Sequence, residues 1–186
     1  VVAPGQDNTD SAFLWGRLSA LGLVMAMLAC AIDQTAKLWL YYGFGLTARV
    51  PAVFNRFLDL ELTFNTGISY GLFAHLGPLA HRALLGFEGV VIVVLWVWLA
   101  RTPSRLTATA LGLIIGGAIG NLIDRLHWPG VMDFIVFHLP VPNRTFWVFN
   151  LAEPFGDFNL ADAAIVAGVL GLLYESLFGG RAAKAP

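Results

Sequence analysis

The stretch LTATALGLIIGGAIGNLIDR, residues 106–125, decides the fold class. It runs without a charge from Leu106 to Ile123, and Asp124 and Arg125 close it. A helix that crosses a membrane needs about 20 mostly apolar residues to traverse about 30 Å of hydrocarbon. Within the stretch Gly112, Gly116 and Gly120 recur at every fourth position, a spacing that lets a neighbouring helix backbone approach closely. Working outward, residues 13–32, 83–100 and 160–178 read as three further spans. The expected fold is therefore an all-α polytopic membrane protein with four transmembrane helices. Composition agrees: of 186 residues 58% are hydrophobic and 12% charged, and the mean hydropathy is +0.72. Soluble domains carry about a quarter charged residues.

The link RTPSR between the second and third spans is short, so these two form a tight antiparallel pair. Two long connections remain, 33–82 and 124–159, and with four spans both fall on one side of the membrane. Arg17, Arg101, Arg105, Arg181 and Lys184 fall on the other side, which the positive-inside rule makes cytoplasmic. Both termini are then cytoplasmic, with residues 1–12 a flexible leader to one membrane-embedded domain spanning 1–186. Trp15, Trp39, Trp96, Trp98 and Trp128 lie near span ends, as an interfacial belt would. The first long loop alternates Leu58, Leu60, Leu62 and Phe64 ahead of an Asn-Thr-Gly turn, which predicts a small sheet at the interface. Such a sheet could pair edge-on with an extended peptide or simply cap the helices.

A net charge of −1 offers no footprint for nucleic acid. Cys30 is the only cysteine, and His75, His81, His127 and His138 lack zinc-site spacing, so neither a metal nor a cofactor is expected. The informative residues are carboxylates, because ionisable groups at membrane depth are expensive. Asp124 ends the third span and Asp162 begins the fourth, with Asp133 between them in the apolar run VMDFIVF. Asp33 and Lys37 close the first span on the same side. Two carboxylates held together cannot both ionise and share a proton, so one activates water while the other polarises a carbonyl. Arg125 beside Asp124 favours that carboxylate's ionised form, whereas Asp133 has no adjacent cation. The preferred dyad is Asp133 with Asp162, and Asp124 with Arg125 becomes a supporting or substrate-positioning pair. Asn121 and Asn159 each precede an Asp by three residues and can donate amide hydrogens to a carboxylate. Glu88 in the second span is expected to be hydrogen-bonded within the bundle.

Five segments, in order, resemble lipoprotein signal peptidase, also called signal peptidase II: DQTAK (33–37), NTGISYG (65–71), GGAIGNLIDR (116–125), VMDF (131–134) and FNLADAAI (158–165). The resemblance implies an inner-membrane protein whose small interfacial β-cradle faces the periplasm. It implies an Asp133–Asp162 dyad that hydrolyses the bond before a diacylglyceryl-modified cysteine. Asn65, Gly67, Asn121, Arg125 and Asn159 map to positions lining the site, and Asp33, Lys37 and Asp124 to supporting ones. The implied partners are diacylglyceryl-prolipoprotein substrates and membrane lipids, with the enzyme a monomer. One departure is a longer loop before Asp162 that holds a near-copy, FNLAE at 149–153. Pro154 follows Glu153 and no apolar span starts there, so Asp162 is retained. A transporter would place its acids nearer mid-membrane, and a scaffold without chemistry leaves the Asn and Asp pairing unexplained. The MLAC string at 27–30 resembles a lipobox, but three later spans argue against the chain being itself a lipoprotein.

Overall fold

A computed structural model describes residues 14–46, 52–55, 58–66, 77–137, 145–146, 149–150 and 157–179. Gly67, Glu153 and the 1–12 segment lie outside them. Among the described residues, four helices are long and apolar enough to cross a membrane. They are α1 (Ser19–Leu38), α2 (Gly77–Arg101), α3 (Arg105–His127) and α4 (Leu160–Tyr174). A π-helical turn extends α1 over Trp39–Gly43, and another extends α4 over Glu175–Gly179. The strands are β1 (Ala52–Asn55), β2 (Leu58–Asn65), β3 (Val131–Phe137), β4 (Thr145–Phe146), β5 (Phe149–Asn150) and β6 (Asp157–Phe158). An antiparallel sheet in the order β1-β2-β3-β6 lies at one end of the bundle, and β4 and β5 form a separate pair.

Helix α3 is the core of the bundle and packs mainly against α1 and α4. Its small residues make this possible. A Cβ added at Gly116 would lie 2.3 Å from the Ala26 carbonyl oxygen, and one at Gly117 would lie 2.4 Å from that of Ala161. Between apolar helices in lipid, close backbone approach replaces the hydrophobic effect as the source of packing energy. The outer faces are apolar too: Val90, Val93 and Val94 of α2 and Val166 and Leu170 of α4 are all more than half exposed in the isolated chain, where hydrocarbon would be their solvent. At the end away from the sheet, the Ser104 hydroxyl caps α3 by accepting from the Thr107 amide and donates to Glu175 at 2.7 Å. There too, Trp15 and Trp96 lie with ring centroids 6.0 Å apart, and Trp96 Nε1 donates to the Leu14 carbonyl.

The structure corrects the first span. It begins at Ser19 and continues through Asp33 and Lys37, which stand inside its last two turns rather than closing the helix at Ile32. The reason is local charge pairing: four residues apart, Asp33 and Lys37 meet on one helix face at 2.7 Å. The third span likewise runs on to His127, so Asp124 and Arg125 lie within its final turn. The sheet forms in the expected loop, and Leu62 of β2 is buried. Its strand β3 was not foreseen, because Val131, Met132, Asp133, Phe134 and Val136 are all buried and a strand covered on both faces does not alternate. Between Leu60 and Thr63 of β2 the register to β3 slips, a bulge beside the Thr63–Asp133 pair. Bulges of this kind bend a strand and re-aim side chains.

Gly117→Ala is expected to destabilise the bundle by about 1–3 kcal/mol, the usual range for overpacking. Gly89→Ala on α2, where a Cβ meets nothing within 4 Å, should not. Thermal unfolding in detergent distinguishes the two.

Candidate active site

The polar residues of the four connected segments converge beneath the sheet in two layers. The inner layer is ionic. Lys37 Nζ lies 2.7 Å from Asp33 Oδ2 and 2.6 Å from Asp124 Oδ2, and the three side chains are at most 2% exposed. Each carboxylate also takes donors from elsewhere. Asp33 Oδ1 accepts from the Ala161 amide in the first turn of α4 at 2.9 Å. Asp124 Oδ2 accepts from the Met132 amide of β3 at 3.0 Å. Gln34 Nε2 donates to Asp33, to Asp124 and to the Gly120 carbonyl. Buried charge is tolerable only when paired and hydrogen-bonded to this degree.

The outer layer is built from two asparagines and two aspartates. Asn159 caps α4 in a reciprocal box: its Oδ1 accepts from the Asp162 amide at 2.9 Å, and Asp162 Oδ2 accepts from the Asn159 amide at 3.2 Å. This is the local reason that Asn at 159 and Asp at 162 start a helix. The Asn159 Nδ2 group then donates to Asp133 Oδ1 at 2.6 Å and to Asn121 Oδ1 at 3.1 Å. Asn121 Nδ2 donates to Asp162 Oδ1 at 2.9 Å, and Asn121 Oδ1 also receives Lys37 Nζ at 3.4 Å. Asn65, at the end of β2, hydrogen-bonds Asp133 as well. Asp133 is buried on β3, whereas Asp162 is half-buried at the mouth of α4. Burial, reinforced by the neighbouring Asp162 charge, pushes the Asp133 carboxyl from its ordinary 3.8 up to about 7. The amides of Asn159 and Asn65 and the Lys37 charge oppose that rise without cancelling it.

Of the residues singled out in the sequence, the structure brings Asp33, Lys37, Asn65, Asn121, Asp124, Asp133, Asn159 and Asp162 into one connected cluster. Gly67 is outside the described residues. Asp124 and Arg125 do not form a pair. Successive residues on a helix point about 100° apart, so Asp124 turns inward to Lys37 while Arg125 turns to Glu88 of α2, 2.5 Å away. Gln34 was missed. Its place between Asp33 and Lys37 in DQTAK is the signal that could have found it, since 33, 34 and 37 share a helix face.

A four-helix membrane bundle capped by a small sheet has known counterparts. The family model described as signal peptidase (SPase) II matches residues 25–178. The chain belongs to the signal peptidase II family. The matched segment opens within α1 and closes in the turn after α4, so it contains every residue of the cluster. Among curated relatives, the lipoprotein signal peptidase of Rhodopseudomonas palustris (strain TIE-1) is 48% identical over 167 residues, covering 89% of this chain and 97% of the relative. That of Nitrobacter hamburgensis is 46% identical over 166 residues, with 89% and 96% covered. A bacterial membrane enzyme solved by the in meso method at 2.3 Å resolution shares the fold, with a TM-score of 0.66 at 20% identity over 89% of this chain and 92% of that one. As a signal peptidase II family member, the protein is a bacterial multi-pass membrane peptidase.

Two outcomes follow from the site's electrostatics. Lys37→Met leaves Asp33 and Asp124 buried without their cation and should destabilise the fold by about 3–5 kcal/mol. Adding Asp124→Asn to that variant should recover part of the loss, measured by thermal unfolding in detergent. The second concerns pH. Between about pH 4 and pH 7 native Asp133 keeps a proton that the unfolded chain has released, so its contribution to stability falls as pH rises and levels off above about 7. Asp133→Asn should therefore be more stable than the parent at pH 8, with the gap closing towards pH 4.

Proposed function

We propose that the protein removes signal peptides from diacylglyceryl-modified prolipoproteins by hydrolysing the peptide bond before the lipidated cysteine, with Asp133 and Asp162 as its catalytic dyad. The observation that carries this reading is the buried Asp133 carboxyl. It is raised to about 7 by burial and by Asp162, and the Asn159 amide holds its Oδ1. A pair with one proton between its members near neutral pH has an acid and a base ready for acyl hydrolysis. The dyad binds a water between the carboxyls, and the water attacks the scissile carbonyl. Asn65, Gly67 and Arg125 line the substrate path. Asn121 and Asn159 orient the carboxylates, and Asp33, Lys37 and Asp124 support them from below.

The substrate's lipid chains dock among the helices, and its peptide lies in extended form along the sheet. Anchoring by the lipids fixes the bond against the dyad, and such positioning lowers a barrier by several kcal/mol. The single membrane-embedded domain, residues 1–186, works as a monomer in the inner membrane. The sheet and dyad face the periplasm and both termini the cytoplasm, an orientation supported by Arg17, Arg101 and Arg105 at the opposite end.

Cleavage of a diacylglyceryl-modified prolipoprotein by purified protein in detergent, with a chelator present, tests the reading. Wild type should cut before the lipidated cysteine. Asp133→Asn and Asp162→Asn should each lose at least about 10²–10⁴-fold in rate while remaining folded, and Asp124→Asn should lose less. Full activity in either of the first two variants would remove the dyad.

A further inference from the structure

The two carboxyls of the dyad are not equivalent, and their hydrogen bonds, burial and place in the fold together say how. Two donors that cannot reverse fix the hydrogen-bond directions. The backbone amide of Asp162 can only donate, so Asn159 must present Oδ1 to it and turn Nδ2 toward Asn121 and Asp133. The Lys37 ammonium likewise only donates. Asn121 Oδ1 therefore faces Lys37 and Asn159 Nδ2, which leaves the Asn121 Nδ2 group pointing at Asp162. Asp162 thus receives an N–H on each oxygen, from Asn121 at 2.9 Å and from the Asn159 amide at 3.2 Å. It also lies in the first turn of α4, where the helix dipole favours negative charge, and it is only partly buried.

Asp133 also receives two donors, Asn159 Nδ2 on Oδ1 and the Asn65 side chain, but its surroundings differ. It is 2% exposed and belongs to a strand with apolar neighbours Met132 and Phe134. The polar and charged groups near it are Asn65 from β2, Lys37 with its partner Asp33 from α1, Asn121 and Asp124 from α3, and Asn159 and Asp162 from α4. Lys37 is the cation among them, and it is already held by two carboxylates.

We infer that the dyad is polarised in the resting enzyme, with the shared proton on Asp133 and the charge on Asp162, and that Asn121 is the positioning residue that enforces this. The inference rests on the reading of these two residues as the dyad. The rise of the Asp133 carboxyl to about 7 is in line with it. The roles in the reaction then follow. The Asp162 carboxylate takes a proton from water as the water oxygen bonds to the scissile carbonyl carbon, and Asp133 gives its proton to the carbonyl oxygen, forming a gem-diol. In the second half Asp162 passes its proton to the amide nitrogen, the C–N bond breaks, and one gem-diol hydroxyl returns a proton to Asp133. The products are a carboxylic acid and a free amine, and the dyad returns to its starting state.

Carbon-13 NMR of wild-type protein labelled at the aspartate carboxyls, in detergent at pH 6, tests this, with Asp133→Asn and Asp162→Asn used for assignment. The Asp133 carbon should resonate as a carboxylic acid and the Asp162 carbon as a carboxylate. The reverse assignment, an averaged pair, or two carboxylates would each overturn the inference. Asn121→Leu should draw the two resonances toward each other, and unchanged resonances in the folded variant would overturn the role given to Asn121. Prolipoprotein cleavage by the same wild-type preparation separates the two claims. Polarised resonances without cleavage would sink the functional reading, while cleavage with a reversed pair would sink this inference alone.

Discussion

The Lys37 ammonium, held between Asp33 and Asp124 where water is excluded, is the interaction on which the rest of the structure depends. An isolated charge in that position would be untenable. Each carboxylate that neutralises it is also a backbone acceptor for another element. Asp33 takes the Ala161 amide of α4, and Asp124 takes the Met132 amide of β3. One buried ion cluster therefore joins α1 and α3 and fixes the two segments that carry Asp162 and Asp133, each one residue beyond the amide that is held. Placement of the Asp133 and Asp162 carboxyls is set by backbone capture at a neighbouring residue as well as by their own hydrogen bonds.

That arrangement also explains why charges persist at the ends of otherwise apolar helices. In lipid, helix association draws on close packing and internal hydrogen bonding. Glycines along α3 supply the first, against Ala26 of α1 and Ala161 of α4. The ion cluster supplies the second at the sheet end, and Ser104 with Glu175 supplies it at the other. Helix α2 is the exception. It packs chiefly against α3, and Glu88 ties it to Arg125.

Much of this was legible in the sequence, and the parts that were not share a cause. The spans were legible because an apolar run of about 20 residues matches the thickness of a bilayer and little else. The acids stood out because charge at membrane depth is costly and persists only where it is used. The end of α1 was misplaced because Asp33 and Lys37, taken singly, read as helix-terminating charges; only their mutual pairing and the Asp124 partner on α3 make them interior. Strand β3 escaped notice for a similar reason. VMDFIVF carries no alternation once both of its faces are covered. Asp124 and Arg125 look like an ion pair in one dimension, and helical geometry sends them to different helices. For strand β3 and for Arg125 the missing information was a partner far away along the chain, and at the end of α1 it was a pairing four residues apart completed by a distant one.

The reciprocal cap between Asn159 and Asp162 has a bearing on biogenesis. Three of the four helices, the sheet strands up to β3 and Asp133 all precede the cap in chain order. A nascent chain inserted that far holds one carboxyl of the pair, without the Asn159 amide that orients it. The cluster is complete only when the last helix starts at Asn159 and docks its Ala161 amide on Asp33. In order of synthesis the polar cluster is thus completed last, by the same helix that closes the bundle.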